Sequence, residues 1–351
     1  MFPEASVWER KMPRTLVTGA AGFIGYHLAV RLADLGHDVV AIDNFQRGSK
    51  DELFEGLARR GNVATSAFDL ARQDVVDKIT GDFDFCYHMA ALNGTQNFYN
   101  QPWSVIWNST LPTLTMLEAL VLTGRCNKFV YAGSGESYAG AVTGFGWAVP
   151  TAEDVPLVVL DPRNPRWSYA AAKLHGEVAT LSACRQASAA CVILRYHNVY
   201  GPRMGDKHVV PDFFLRALRG EFYVYGPEQT RSFLYIDDAV DATIKLAETA
   251  DATNEIVNVG ARAEVTIGAL AERMMQALGI RAVVEARAVP RGSVARRAPD
   301  LSKIYSLIGG YERVSLDDGL ARTLSYYKAA AGSFAPGDDG GFERFLEGRG
   351  G

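Results

Sequence analysis

RTLVTGAAGFIGYHLAVRLADLGHDVVAID, residues 14–43, decides how the rest of the chain is read. A β-branched run from Arg14 stops at the glycine-rich turn Thr18–Gly25, an amphipathic stretch comes next, and a second apolar run, Asp38–Asp43, closes the unit. A short apolar run, a glycine turn and a helical period in that order make a strand–helix–strand unit with parallel strands. Apolar runs at Val63–Phe68, Phe83–His88, Lys128–Ala132 and Ala190–Leu194, with helical stretches between them, extend the alternation. It predicts an α/β chain built on a doubly wound parallel sheet.

The rhythm changes after Arg195. Residues 196–233 are rich in Gly, Pro, Arg and aromatics, and residues 283–300 carry Arg287, Arg291, Arg296 and Arg297 among small residues. Between them Ile236–Glu248 reads as a helix and Ile256–Val259 as one more strand of the first sheet. The expected division is therefore a nucleotide-binding domain of residues 13–195 plus about 232–262. A smaller, discontinuous α/β lobe, about 196–231 plus 263–328, closes over the substrate, with flexible termini at 1–12 and 329–351.

Composition excludes several classes. A formal net charge of -4 gives no electrostatic case for nucleic acid or an anionic membrane, so an anionic ligand must be met by particular residues. Cys86, Cys126, Cys184 and Cys191 show neither CxxC nor Cys/His metal spacing, which predicts buried reduced thiols, no metal site and a cytoplasmic location. No run approaches the ~20 apolar residues of a membrane span, and Met1–Met12 lacks a signal-peptide core.

In Thr18–Gly25 the glycines Gly19, Gly22 and Gly25 let backbone approach a pyrophosphate, while Phe23 and Ile24 open the helix whose N–H groups face it. Asp43 ends the next strand at about the ~20-residue offset where a carboxylate accepts from adenosine ribose hydroxyls. It would repel a 2′-phosphate, so the cofactor expected is NAD rather than NADP, in a Rossmann-type fold. Arg47 reads as a solvated loop charge. Asp69 either contacts the adenine or caps the next helix.

Tyr169-Ala-Ala-Ala-Lys173 sets a phenol and an ammonium one helical turn apart on one face. Lys173, with the positive nicotinamide, would favour the phenolate of Tyr169, which then takes a hydroxyl proton as hydride leaves. Ser134 ends the run Phe129–Ser134 at the carboxyl edge of the sheet and either hydrogen-bonds the same hydroxyl or caps a turn.

With these residues the chain resembles the extended short-chain dehydrogenase/reductases, the NAD-dependent nucleotide-sugar epimerases, dehydratases and decarboxylases. The likeness runs from about Pro13 to Tyr327. It is carried by TGAAGFIG (18–25), HMAA (88–91), Ser134, YAAAK (169–173), RYHNVYGPR (195–203), QTRSFLYIDDAV (229–240) and RRAPD (296–300). It implies cofactor contacts from Asn44, Leu70 and Ala90 besides the residues above. It also implies a nucleotide-diphosphate sugar substrate, with Asn198 donating to the diphosphate, Arg231 and Arg297 neutralising it, and Val209–Phe213 and Tyr225 bordering the base. A homodimer would form through the helix Trp103–Val121 and the one carrying Tyr169.

The family reaction begins with oxidation of a sugar carbon, usually carbon 4, and Ser134-Gly135-Glu136 bears on the fate of the ketosugar. The 4,6-dehydratases read Thr-Asp-Glu there, and the Asp is missing. The UDP-glucuronate decarboxylases read Thr-Ser-Glu, which Glu136 fits and Gly135 does not. A 4-epimerase needs only room, which Gly135 would give. A GDP-mannose 3,5-epimerase would pair an acid/base at Glu136 with a lysine near Lys207, although Glu136 also reads as a structural pair at the strand end. Asn93 and Thr95 either face the sugar or form a turn, and His197 and His208 read as structural. The expected function is an NAD-dependent nucleotide-sugar epimerase, of 4-epimerase or 3,5-epimerase type, working through a 4-keto sugar. A decarboxylase, dehydratase or 4-dehydrogenase stands behind it. A plain reductase and a non-catalytic dinucleotide sensor stand further back, the sensor because Ser134, Tyr169 and Lys173 are all present.

Overall fold

The computed structural model describes residues 12–205, 208–289 and 294–332. Strands β1 (Arg14–Thr18), β2 (Asp38–Asp43), β3 (Val63–Ala67), β4 (Phe83–His88), β5 (Cys126–Ser134) and β6 (Ala190–Tyr196) join the edge strand Ile256–Val259 in one sheet. All its pairings are parallel, in the order Ile256–Val259, β6, β5, β4, β1, β2, β3. The chain winds outward from β1 through β2 to β3, then restarts at β4 on the other side. That reversal opens a crevice at the carboxyl ends of β1 and β4, where ligands bind in doubly wound sheets. β5 ends at Ser134, as the run Phe129–Ser134 implies, and β6 runs two residues past its apolar period, so Ser134 and Tyr196 are carried to the crevice on strand ends.

The switch point is pinned by a polar run inside the apolar interior. Ala90 N donates to Thr18 Oγ1 at 3.2 Å, Thr18 Oγ1 meets His88 Nδ1 at 2.9 Å, and His88 Nε2 meets Thr113 Oγ1 at 3.1 Å. Thr113 in turn donates to Ser109 O, one turn earlier in the helix Pro102–Met116. Burial pushes His88 down to about 3, so a neutral imidazole links β1, β4 and that helix.

The helix Pro102–Met116 continues as a π turn, Leu117–Val121, and Thr95–Asn100 is helical, where turn residues were expected. Ile236–Glu248 and Ile256–Val259 fall where the sequence placed them. The remaining strands are short: Thr230–Ser232 lies between Glu264–Thr266 and Arg296–Arg297, and Tyr223–Tyr225 pairs with Glu285–Arg287. Around them pack the helices Val209–Leu218, Ile267–Leu278 and Leu316–Gly332. The last runs past residue 329, where the tail was expected to start; residues 1–11 and 333–351 lie outside the described residues. The apolar interior is continuous, joining Val17, Leu28 and Val130 of the sheet layers to Phe213, Leu270, Met274 and Tyr327.

The helix Trp167–Ala187 lies close on the sheet because Gly176 has no side chain: a Cβ there would sit 1.9 Å from Tyr131 Oη. Next to Gly176, Glu177 receives Arg195 of β6 through two bonds, Nε to Oε1 at 2.9 Å and Nη2 to Oε2 at 2.6 Å, both side chains 3% exposed. A bidentate pair this deep is costly to break from one side, because the survivor stays buried and charged. Glu177→Ala is expected to lower unfolding stability by about 3–5 kcal/mol, read from the urea midpoint; an unchanged midpoint would refute that.

Candidate active site

The crevice is a cleft of about 1040 Å³ lined by Gly19, Asp43, Ser134, Tyr169, Asn198 and Arg297 among others. Small-ligand sites usually hold about 300–1,000 Å³, so this cleft lies at the upper end of that range.

The cofactor half is built on tight backbone packing. Gly19 has φ +67°, and a Cβ on it would lie 2.8 Å from Ala90 N; one on Gly25 would lie 2.1 Å from Gly19 O. The helix Phe23–Asp34 starts at Gly22 with no side-chain cap, leaving its first N–H groups for a ligand. Asp43 is 8% exposed and accepts from Ala21 N at 2.9 Å and Phe45 N at 2.7 Å. A carboxylate offers about four lone-pair sites, so it can shape the loop and still take a ribose diol. Burial pushes the Asp43 carboxyl up, against those backbone bonds. The glycine cradle, uncapped helix end and half-used carboxylate fit NAD.

Asn44 donates to Asp69 Oδ1 at 3.3 Å, and the same oxygen accepts from Ala71 N at 3.1 Å. Asp69 therefore closes an Asx turn rather than capping a helix, since the 3-10 helix Gln73–Lys78 begins after Arg72. Leu70 and Ala90 line the cleft. Arg47 is not a solvated loop charge. It is half-buried, donates to the Asn93 carbonyl and reaches His208 Nε2 at 3.2 Å, spanning the cleft. His208 is pushed down to about 3 by burial and by Arg47, so its neutral ring accepts.

Ser134, at the end of β5, meets Tyr169 and Lys173 on the helix Trp167–Ala187. Tyr169 is stacked on Phe98, with ring centroids 5.0 Å apart. Burial pushes its phenol well up; Arg47 and a hydrogen bond with Ser134 draw it partly back. Lys173 Nζ donates to Ala132 O at 2.7 Å and lies over the Tyr169 ring, 5.7 Å from its centroid, and burial lowers it to about 8. Burial keeps the phenol protonated in this arrangement.

Beyond Ser134, Glu136 Oε1 takes Arg297 Nη1 at 2.5 Å, and Oε2 lies 3.6 Å from Arg166 Nη2. Lys207, the other partner considered, lies outside the described residues. Burial alone would raise the Glu136 carboxyl, but Arg297, Arg166 and Arg231 outweigh it and hold it below its ordinary range. Gly135 does not enlarge the pocket. Its missing side chain is replaced by the His197 ring, 2.4 Å from where a Cβ would stand. Arg166 escaped the sequence reading because nothing in Asp161-Pro-Arg-Asn-Pro-Arg166 distinguishes it from a surface loop.

Arg231 lies on the same wall, donating to Thr230 O at 2.7 Å and Val294 O at 2.6 Å. Burial and neighbouring Arg297 lower it to about 10. Asn198, with φ +37°, donates to Ser232 O at 3.0 Å; Val209 opens its helix on the cleft, and Tyr225 stands 47% exposed at the rim. Asn93 behaves as a turn former, its Oδ1 accepting from Gly94 N at 2.6 Å, and the Thr95 side chain lies outside what is described. The four cysteines are buried and free. Among the described residues no metal-binding cluster occurs, and no helix is long and apolar enough to cross a membrane.

A glycine-cradled helix end at the switch point, a carboxylate after the second strand and a Ser–Tyr–Lys set facing them define a dinucleotide-dependent oxidoreductase-type centre. Residues 15–260 match the NAD dependent epimerase/dehydratase family, and the chain belongs to it; it is an NAD-dependent enzyme of the nucleotide-sugar epimerase and decarboxylase type. It is 31% identical to the UDP-N-acetyl-alpha-D-glucosaminuronate decarboxylase of Bacillus cytotoxicus, over 90% of this chain and 98% of that one. It is also 31% identical to UDP-glucuronic acid decarboxylase 1 of Xenopus tropicalis, over 91% of this chain and 73% of that one. Among solved structures, UDP-glucuronic acid 4-epimerase from Bacillus cereus, in complex with UDP-glucuronic acid and NAD, superposes with a TM-score of 0.80. Its identity is 27%, over 90% of this chain and 99% of that one.

The arginine clamp has a measurable consequence. A carboxyl held below its ordinary 4.5 keeps its ion pairs above that pH and loses them only as pH falls through the lowered value. In Arg297→Gln the Glu136 midpoint should rise, as read by carboxyl 13C NMR titration; equal midpoints in both proteins would contradict the clamp.

Proposed function

We propose that the enzyme decarboxylates a nucleotide-diphosphate uronic acid, UDP-glucuronic acid being the first candidate, after oxidation at sugar carbon 4. The observation that carries this reading is the charge at the sugar end, where Arg297, Arg166 and Arg231 surround a single carboxylate, Glu136. That leaves an excess of positive charge beside Ser134 and Tyr169, suited to an anionic sugar as well as a diphosphate. The two decarboxylases compared above act on uronates by their names, which supports the same choice. The 4-epimerase expectation leaned on space at Gly135, and His197 fills that space.

NAD, when bound, supplies the oxidising equivalent for carbon 4 and returns it at the end, so the reaction carries no net redox change. Tyr169 takes the carbon-4 hydroxyl proton as a phenolate, a form that burial alone opposes and a bound positive nicotinamide would favour, and Ser134 hydrogen-bonds the same oxygen. With a ketone at carbon 4, the carboxylate on carbon 5 belongs to a β-keto acid. Its C–C bond electrons pass to the carbon-4 oxygen as carbon dioxide leaves, and a proton then enters at carbon 5. Tyr169, carrying the proton taken from the carbon-4 hydroxyl, and Ser134 stabilise the enolate oxygen. Glu136, kept ionised, fixes the two guanidiniums more readily than it removes a proton.

A 4-epimerase acting on the same uronate is the second reading, favoured by the Bacillus cereus structure. Incubation with UDP-glucuronic acid separates the two: carbon dioxide and a UDP-pentose are expected, an unchanged mass with inverted carbon 4 would overturn the decarboxylase reading, and Tyr169→Phe should form neither product.

A homodimer is also proposed. Trp103, Trp107 and Val178 stand 68%, 44% and 57% exposed on the adjoining helices Pro102–Met116 and Trp167–Ala187, an apolar surface suited to a second copy. Sedimentation should give a dimer for the native enzyme and a monomer for Trp103→Glu/Trp107→Glu; a native monomer would refute it.

A further inference from the structure

Of the eight buried side-chain polar atoms that have no partner among the described residues, two belong to residues lining the cleft, His197 Nδ1 and Arg297 Nε. Their hydrogen states are set by the surrounding bonds. Asn258 Nδ2 donates to Thr151 O at 3.0 Å and Asp300 O at 3.1 Å, so its Oδ1 is the accepting end. Arg195 Nη1 donates to the Tyr138 oxygen at 2.8 Å, and the Tyr138 hydroxyl donates to Asn258 Oδ1 at 2.8 Å. His197 Nε2 lies 3.2 Å from the same Oδ1 and must carry a hydrogen to be bound there. The remaining nitrogen, Nδ1, is then a bare lone pair. Burial, with Arg297 and Arg195 adding to it, pushes the imidazole down to about 3, so protonation does not remove that lone pair.

The ring is placed where a side chain of residue 135 would be: a Cβ on Gly135 would lie 2.6 Å from Nδ1. Between Ser134 and Glu136 the backbone contributes no functional group of its own, and His197, 1% exposed, contributes one instead. Beside it Arg297 spends Nη1 on Glu136 and keeps an unused Nε–H. An acceptor and a donor left unmet on two cleft-lining residues close enough to interact electrostatically are matched by a group that both donates and accepts. A hydroxyl does so; a carboxylate or phosphate oxygen satisfies the arginine alone and repels the imidazole lone pair.

We propose that His197 is a substrate-reading residue, whose Nδ1 accepts from one hydroxyl-type oxygen, of the sugar or of a fixed water, that in turn accepts from Arg297 Nε. The inference deepens the reading of this cleft as a nucleotide-sugar site and rests on it.

Two substitutions separate this role from a structural one. The amide of His197→Asn can present an acceptor at the Nδ1 position but not reach Asn258, whereas His197→Gln can present a donor to Asn258 but nothing at Nδ1. With NAD-loaded enzyme and UDP-glucuronic acid, His197→Gln should lose roughly tenfold in kcat/KM, and His197→Asn should restore most of that loss. A loss in His197→Asn as large as or larger than that in His197→Gln, or no loss in His197→Gln, overturns the proposal. Should the variants not fold, 15N NMR of histidine-labelled native enzyme decides. Its unprotonated Nδ1 resonance should move upfield when UDP-glucuronic acid is added, and a stationary resonance overturns the proposal. The 2-deoxy and 3-deoxy analogues identify the oxygen. If one of them reacts equally with native enzyme and His197→Gln, the missing hydroxyl is the one read; if both keep the tenfold difference, the oxygen is a water, and either result supports the role. The product formed by native enzyme tests the proposed reaction, whereas the ratio between variants tests His197 whatever that product is.

Discussion

The run of hydrogen bonds from Ala90 through Thr18 and His88 to Thr113 sets the place of everything functional in this molecule. It crosses the point where the winding order of the parallel strands reverses, and it does so with neutral groups that satisfy one another inside an apolar interior. Because β1 and β4 are locked side by side there, the glycine turn after β1 and the Met89–Ala91 segment after β4 open onto the same crevice. Gly19 can then pack against Ala90 at a separation no side chain would allow. The cofactor cradle, the end of β5 with Ser134 and the helix bearing Tyr169 all take their positions from that arrangement.

The two ends of the cleft differ in electrostatics. Around Asp43 the polar contacts are backbone N–H groups, and one buried carboxylate is held by dipoles rather than by cations. Around Glu136 the contacts are guanidiniums, and the carboxyl is held low by full charges. A dinucleotide ribose asks for acceptors, whereas an anionic sugar and a diphosphate ask for cations, so the charge distribution matches the order in which the two ligands would lie. Glu136 also shows why a carboxylate two residues beyond Ser134 need not be a general base: paired with Arg297 it has little affinity for a proton.

Sequence relatives named as decarboxylases and a solved neighbour named as an epimerase share one fold with this chain, so the fold does not choose between the reactions. The choice belongs to the few side chains around the sugar. Here those include a residue that contributes nothing, Gly135, and another, His197, that stands in its place.

The sheet, the glycine turn, the Asp43 offset and the pairing of Tyr169 with Lys173 were legible in the amino-acid sequence alone, because each is written in short-range periodicity. A strand repeats every two residues, a helix returns to the same face after four, and a glycine turn is read from its own neighbours. Ser134 was read from the strand end, the resemblance added Arg231 and Arg297, and the cleft brings the three together. It took the folded chain to show that Arg166 faces Glu136, that Arg47 spans the cleft to His208, and that His197 occupies the space left at Gly135. These contacts join residues 30, 161 and 62 positions apart, and no local pattern encodes them. They arise where strand ends and loops from opposite walls meet, and burial of charge at that meeting sets which groups carry protons and which stay ionised.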